Sequence, residues 1–132
     1  MKNLEVFVNP ASNRNEIYIV ARNGHKVIDL DEIILCKADR NYTKILLKDD
    51  AIEIVLPKSI CVLESALNKY HFLRCSSSYL INLNKSGSFN RYLRMIYLSG
   101  HKISVSRKRC GKVFPMLTAF GFREELRHTF DN

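Results

Sequence analysis

The chain has no tryptophan, only three prolines and five glycines in 132 residues, and no apolar run approaching the roughly 20 residues needed to cross a bilayer as a helix. Composition thus excludes a membrane-spanning helix and a low-complexity linker. The N-terminus, Met1-Lys2-Asn3-Leu4-Glu5-Val6, lacks the apolar core and small-residue cleavage site of a signal peptide, so a cytoplasmic location away from any membrane is expected. The four cysteines, Cys36, Cys61, Cys75 and Cys110, form no CxxC pair and have no histidine at ligand spacing. They read as reduced thiols, and no metal or cofactor is expected. Also missing are GxSxG, Walker A, GxGxxG and HExxH, and the basic half offers no carboxylate to orient His71 or His101. Catalysis is not expected.

The most informative absence is of acid. From Glu64 to Glu124 no Asp or Glu intervenes, yet the stretch carries 11 Lys and Arg, with Arg107, Lys108 and Arg109 in a row. The first 64 residues hold nine Lys and Arg against ten Asp and Glu, so the net charge of +8 belongs to one half of the chain. A soluble domain ordinarily intersperses both signs. A half with one sign alone points to a polyanionic partner, because each cation placed on a phosphate releases condensed counterions.

Length suits one domain with a real core. Alternation in Glu16 to Arg22 and again in His25 to Leu30, separated by Asn23-Gly24, predicts a β-hairpin. Ile33 to Lys37 and Tyr42 to Lys48 flank the polar loop Ala38-Asp39-Arg40-Asn41, and Asp49-Asp50 turns the chain into Ile52 to Leu56. After Pro57, Ile60, Val62, Leu63, Ala66, Leu67 and Tyr70 recur at helical spacing, which predicts one short helix. Strand character returns at Phe72 to Arg74, Tyr79 to Leu83, Tyr92 to Leu98 and Lys102 to Val105, with Ser99-Gly100 as a turn. Val113, Phe114, Leu117 and Phe120 predict a C-terminal helix whose clean start Pro115 places near itself. The expectation is a mainly β protein with residues 1–24 as a strand segment in or on the domain, and a helical tail over 121–132.

Three polar loops punctuate these strands: Asp39-Arg40-Asn41-Tyr42-Thr43-Lys44, Arg74-Cys75-Ser76-Ser77-Ser78-Tyr79 and Ser104-Val105-Ser106-Arg107-Lys108-Arg109. Such side chains donate to phosphates and base edges, with Arg and Lys suited to guanine and Asn to adenine. In the third loop, cations near a helix N-terminus oppose the helix dipole, a local cost that an anionic ligand would offset.

These segments resemble the LytTR DNA-binding domain. Ile33 to Thr43 looks like its opening strand and loop. Phe72 to Leu83 resembles its F-x-R-x-H-[RK]-S-[YF]-[IL]-[VI]-N-L, and Leu98 to Lys108 its L-x-x-G-x-x-[IL]-P-[VL]-S-[RK]-[RK]. The likeness spans residues 25–120. It implies an elongated antiparallel β-sheet fold with a short internal helix and a C-terminal helix, whose loops enter successive major grooves of double-stranded DNA. It further implies direct-repeat targets bound by two protomers side by side, a homodimer on the DNA. Carried over by position, the DNA contacts are Arg40, Asn41, Tyr42 and Lys44, then Arg74, Ser76, Ser77 and Ser78, then Arg107, Lys108 and Arg109. Arg74, Asn82 and Ser106 match motif positions that equally serve to shape the loops. Ser76 and Ser77 stand where the family has His and a basic or amide residue, so the second loop is expected to read weakly or through water. Ser104 replaces the usual Pro. Residues 1–24 are too few for the receiver domain that many members carry, so a stand-alone bacterial regulator is expected.

Two other readings stay open. A protein-interaction or anti-regulator module would use the near-neutral first half, where a hairpin edge can pair with a partner strand. RNA binding fits less well, since Tyr42, Tyr79 and Tyr92 read as strand residues and leave no stacking platform.

Overall fold

A computed structural model describes residues 6–21, 24–48 and 53–126. The expected Asp49-Asp50 turn, Ile52 and the Asn23 part of the first hairpin turn lie outside these residues. The strands are β1 (Val6–Asn9), β2 (Arg14–Ala21), β3 (Gly24–Asp29), β4 (Ile33–Asp39), β5 (Tyr42–Leu47), β6 (Glu53–Leu56), β7 (Phe72–Arg74), β8 (Tyr79–Asn82), β9 (Gly87–Asn90), β10 (Met95–Leu98), β11 (His101–Ser104) and β12 (Arg123–Glu124). The helices are α1 (Ile60–Leu67) and α2 (Cys110–Ala119). As expected, the fold is mainly β, with antiparallel sheets and two helices. Ala21 pairs with Gly24, so the predicted first hairpin forms.

Three sheets result, in the orders β1-β2-β3, β6-β5-β4-β8-β7 and β11-β10-β9-β12. The five-stranded sheet is central because its middle strands are apolar on both sides. In β4, Ile33, Ile34, Leu35 and Cys36 are all buried, Ile33 and Cys36 in one core and Ile34 and Leu35 in the other, with a register shift against β5 between Ile33 and Leu35 that breaks simple alternation. Cys36, Leu80 and Phe72 join one core with Ile17, Ile19 and Ile28 of the first sheet and Ile60, Leu63 and Leu67 of α1. Leu35, Ile81 and Leu73 join a second core with Phe89 and Ile96 of the four-stranded sheet and Val113, Phe114 and Leu117 of α2. Each hydrophobic side chain fully buried this way contributes about 1.5–3 kcal/mol relative to exposure. The buried Asn82 is satisfied: its Nδ2 donates to Leu30 O (3.3 Å) and Ile33 O (2.9 Å), and its Oδ1 accepts from Asn84 N (2.9 Å).

Several expected elements differ. Helix α2 begins at Cys110 and carries Pro115 inside it, so the proline does not set its start. The hydrogen bond Pro115 forgoes would have gone to the carbonyl of Gly111, an exposed residue, while burial of Val113, Phe114 and Leu117 holds the helix. The expected helical tail is contradicted at its start. Phe122 is buried and Arg123–Glu124 pair parallel with Ser88 and Phe89 of β9, whereas 127–132 lie outside the described residues. Of the expected strand from Tyr92 to Leu98 only Met95–Leu98 is extended, and β9, which pairs with it, was not foreseen.

Gly87 in β9 explains how the tail docks. A Cβ there would lie 2.6 Å from Tyr97 O and 2.7 Å from the Phe122 ring. Gly87→Ala is therefore expected to lower stability by about 2 kcal/mol through overpacking against backbone, read as a lower urea midpoint; an unchanged midpoint would contradict the packing. Burial pushes the Cys36 and Cys75 thiols up to about 12 from 9.0. A raised folded-state value means the unfolded chain loses these protons first. Stability should therefore decline as pH rises from 9.0 towards about 12, and near pH 8 iodoacetamide should label the exposed Cys61 while sparing Cys36 and Cys75.

Candidate nucleic-acid interface

All three predicted loops meet at one end of the molecule, brought there by strand register. In the β4–β5 hairpin Asp39 pairs with Tyr42, leaving Arg40-Asn41 as a two-residue tip with Arg40 left-handed at φ +59°. Strand β8 runs antiparallel to β4 with Tyr79 opposite Lys37, so the 75–78 loop enters beside that tip. Ala38 N donates to Ser78 O (2.8 Å), and Cys75 N to Tyr79 O (2.9 Å). On the four-stranded sheet, Ser104 ends β11 opposite Met95. From there the chain turns back to the central sheet, where Ser106 N donates to Cys75 O (3.0 Å). Residues Arg107–Arg109 then form a 3-10 turn leading into α2.

Within this end, the predicted residues take different positions. Arg40, Asn41, Ser77, Arg107 and Lys108 are exposed, whereas Tyr42, Lys44, Ser76, Ser78 and Arg109 are half-buried. Lys44 lies 3.5 Å from Asp39 across the hairpin. Ser76 Oγ accepts from Ser78 N (3.1 Å), so this hydroxyl shapes its own loop. Arg74 points inward: Nε donates to Ser76 O (2.6 Å), Nη2 to Ser77 O (2.9 Å) and Nη1 to Glu64 Oε1 (2.6 Å). One guanidinium thereby ties two loop carbonyls to α1, as a planar fork of donors allows. Thr43 acts likewise at the β4–β5 hairpin, donating from Oγ1 to Lys58 O (2.8 Å).

The electrostatics of this end follow from how its acids are used. Asp39 faces Lys44, Glu64 holds Arg74 and Glu124 holds Arg91. Among the described residues, no ion pair engages Arg40, Arg107, Lys108 or Arg109, so none offsets their charge. Neither Ser106 nor Arg109 places a side-chain cap on the turn and helix that follow, and no acid occupies the first turn of α2. Ser106 Oγ is buried without a hydrogen-bond partner.

A fourth turn, Arg91–Arg94, stands at the same end, between β9 and β10, and Val105 N donates to Arg94 O (2.9 Å). Its apolar Tyr92 and Leu93 made it read as the start of a strand. The signal available was Asn90, whose Oδ1 accepts from Tyr92 N (3.0 Å) and Leu93 N (3.1 Å) and so closes a turn rather than extending the strand. Among the described residues no group of three or more His, Cys, Asp or Glu is placed to hold a metal ion, and no helix is long and apolar enough to cross a membrane.

Comparison with known proteins bears on what this end does. The family model of the LytTr DNA-binding domain matches residues 15–118. A solved LytTr DNA-binding domain from Bacillus cereus superposes with a TM-score of 0.63 at 18% identity, covering 81% of this chain and 97% of that one. No curated protein matches the sequence.

The inward Arg74 yields a test of loop shaping. Arg74→Ala strips the donors from Ser76 O and Ser77 O, and is expected to destabilise the protein by about 2 kcal/mol. Glu64→Gln, which removes only a half-exposed charge, should cost under about 1 kcal/mol. Equal losses in chemical denaturation would show that the ion pair, and not the carbonyl clamp, matters.

Proposed function

Since the chain belongs to the LytTR DNA-binding domain family, we propose that it is a bacterial transcription regulator that reads double-stranded DNA sequence-specifically with loops in the major groove. The family is one of DNA-binding domains and not of enzymes. The observation that carries the reading is the convergence of three loops on one end, joined by Ala38 N to Ser78 O and Ser106 N to Cys75 O, where cations outnumber acids and the nearby acids are already paired.

Roles then divide by exposure. Arg107 and Lys108 reach base edges, with Arg40 and Asn41 doing so from the β4–β5 hairpin and Ser77 from the second loop. Tyr42, Lys44, Ser76, Ser78 and Arg109 support these contacts or meet phosphates. Arg74 serves by holding the second loop in shape. Direct repeats are the target that suits two protomers side by side, since head-to-tail copies present the same end in the same orientation. A cytoplasmic location follows from the DNA partner.

The protein-interaction reading has an observation of its own. Phe7, Val8, Tyr18, Val20 and Val27 are exposed on the first sheet, far in sequence from the basic loops. Retention of mixed genomic fragments on a filter at low salt separates the two: capture supports DNA reading, and no capture favours the interaction module. With duplexes selected from random DNA, Arg107→Ala or Lys108→Ala should lose about 1–3 kcal/mol of discrimination against scrambled DNA. Lys102→Ala should instead weaken every duplex alike. Unchanged affinity and specificity in both loop variants would refute the assignment.

A further inference from the structure

Of the large apolar side chains that the described residues leave exposed, two stand at the basic end: Tyr92 (64%) and Leu93 (46%). They occupy the tip of the Arg91–Arg94 turn, and that turn is built to hold them. Asn90 is 1% exposed, and its side-chain oxygen fixes both tip N–H groups. Arg94 takes a left-handed conformation at φ +52°, and its carbonyl accepts from Val105 N (2.9 Å), one residue before Ser106. Arg91 is held by Glu124 and lies over the Phe114 ring (5.7 Å to the centroid). Neighbouring backbone and side chains thus anchor the turn, while the apolar tip stays outside the core.

We propose that Tyr92 and Leu93 form a fourth DNA-facing element, an apolar tip that packs against the deoxyribose faces and base edges of the duplex beside the contact made by Arg107 and Lys108. The proposal rests on the DNA-reading function above. Its occupant follows from charge. The tip adjoins the strand end where Ser104 pairs with Met95, and the chain from Ser104 runs within three residues to Arg107, which no acid engages among the described residues. A polyanion drawn to those cations comes within reach of the tip. On that polyanion the apolar surfaces are sugar faces, thymine methyls and the faces of partly unstacked bases. A pre-ordered tip loses little conformational entropy on contact, which favours a fixed turn over a flexible one.

An apolar contact differs from a phosphate contact in how it responds to salt. The probe is a duplex recovered by the wild-type protein from a random library, with dissociation constants measured across a salt series. Tyr92→Ser and Leu93→Ser are each expected to weaken binding about tenfold while leaving the slope of log affinity against log salt unchanged. Lys108→Ala should lower that slope by about one contact. Tyr92→Phe and Leu93→Met keep the apolar surface and should bind as wild type, which guards against a folding artefact, as does an unchanged thermal melt. Wild-type affinity in both serine variants, or a loss matched by a shallower salt slope, overturns the proposal. If the wild-type protein recovers no duplex at all, the DNA-reading function itself fails, a result distinct from either.

Discussion

The middle strands of the central sheet are apolar on both faces, and the rest of the molecule answers that constraint. Strands β4 and β8 each send side chains into two cores, so neither of their faces can meet water. The first sheet with α1 covers one side, and the four-stranded sheet with α2 covers the other. A strand buried on both sides can present polar groups only at its ends. The polar loops are therefore pushed to the ends of the strands, and the antiparallel register of β4 with β8 gathers two of them at the same end.

At that end the chain separates two kinds of polar work. Arg74, Thr43 and Asn90 turn inward and satisfy loop carbonyls or N–H groups, which fixes loop shape at the expense of their own availability. Arg40, Arg107 and Lys108 stay exposed, and no acid pairs with them among the described residues. Charge that is shaped but not neutralised suits a ligand that is itself highly charged. The acid-free stretch seen in the sequence thus has a structural counterpart, because the few acids near this end are spent on Lys44, Arg74 and Arg91.

Much of this was legible in the sequence, because period and turn chemistry are local signals. The hairpin around Arg40-Asn41, the helix after Pro57 and the loop after Arg74 all carry them. Where the reading failed, tertiary context overrode the local signal. Pro115 marked a helix start, yet α2 tolerates it because the burial of its neighbours outweighs one missing hydrogen bond. Tyr92 and Leu93 looked like strand because they are apolar, which outweighed the turn signal of Asn90, whose side chain closes the turn. Gly87 gave no strand signal, since its role is to leave room beside its own backbone for the Tyr97 carbonyl and the Phe122 ring. Arg74 could be placed in the loop motif, but whether it faced outward or inward depended on Glu64, ten residues away in sequence.

The link between Ser106 N and Cys75 O joins the second and third loops across two different sheets, and it is made entirely of main-chain atoms. No side chain is needed to keep it. The distance between those loops is therefore a gauge set by the backbone, and any residue at position 106 that retains an N–H can preserve it. Exposed side chains on either loop can be exchanged while that gauge persists, so the surface at this end is free to vary without a redesign of its spacing.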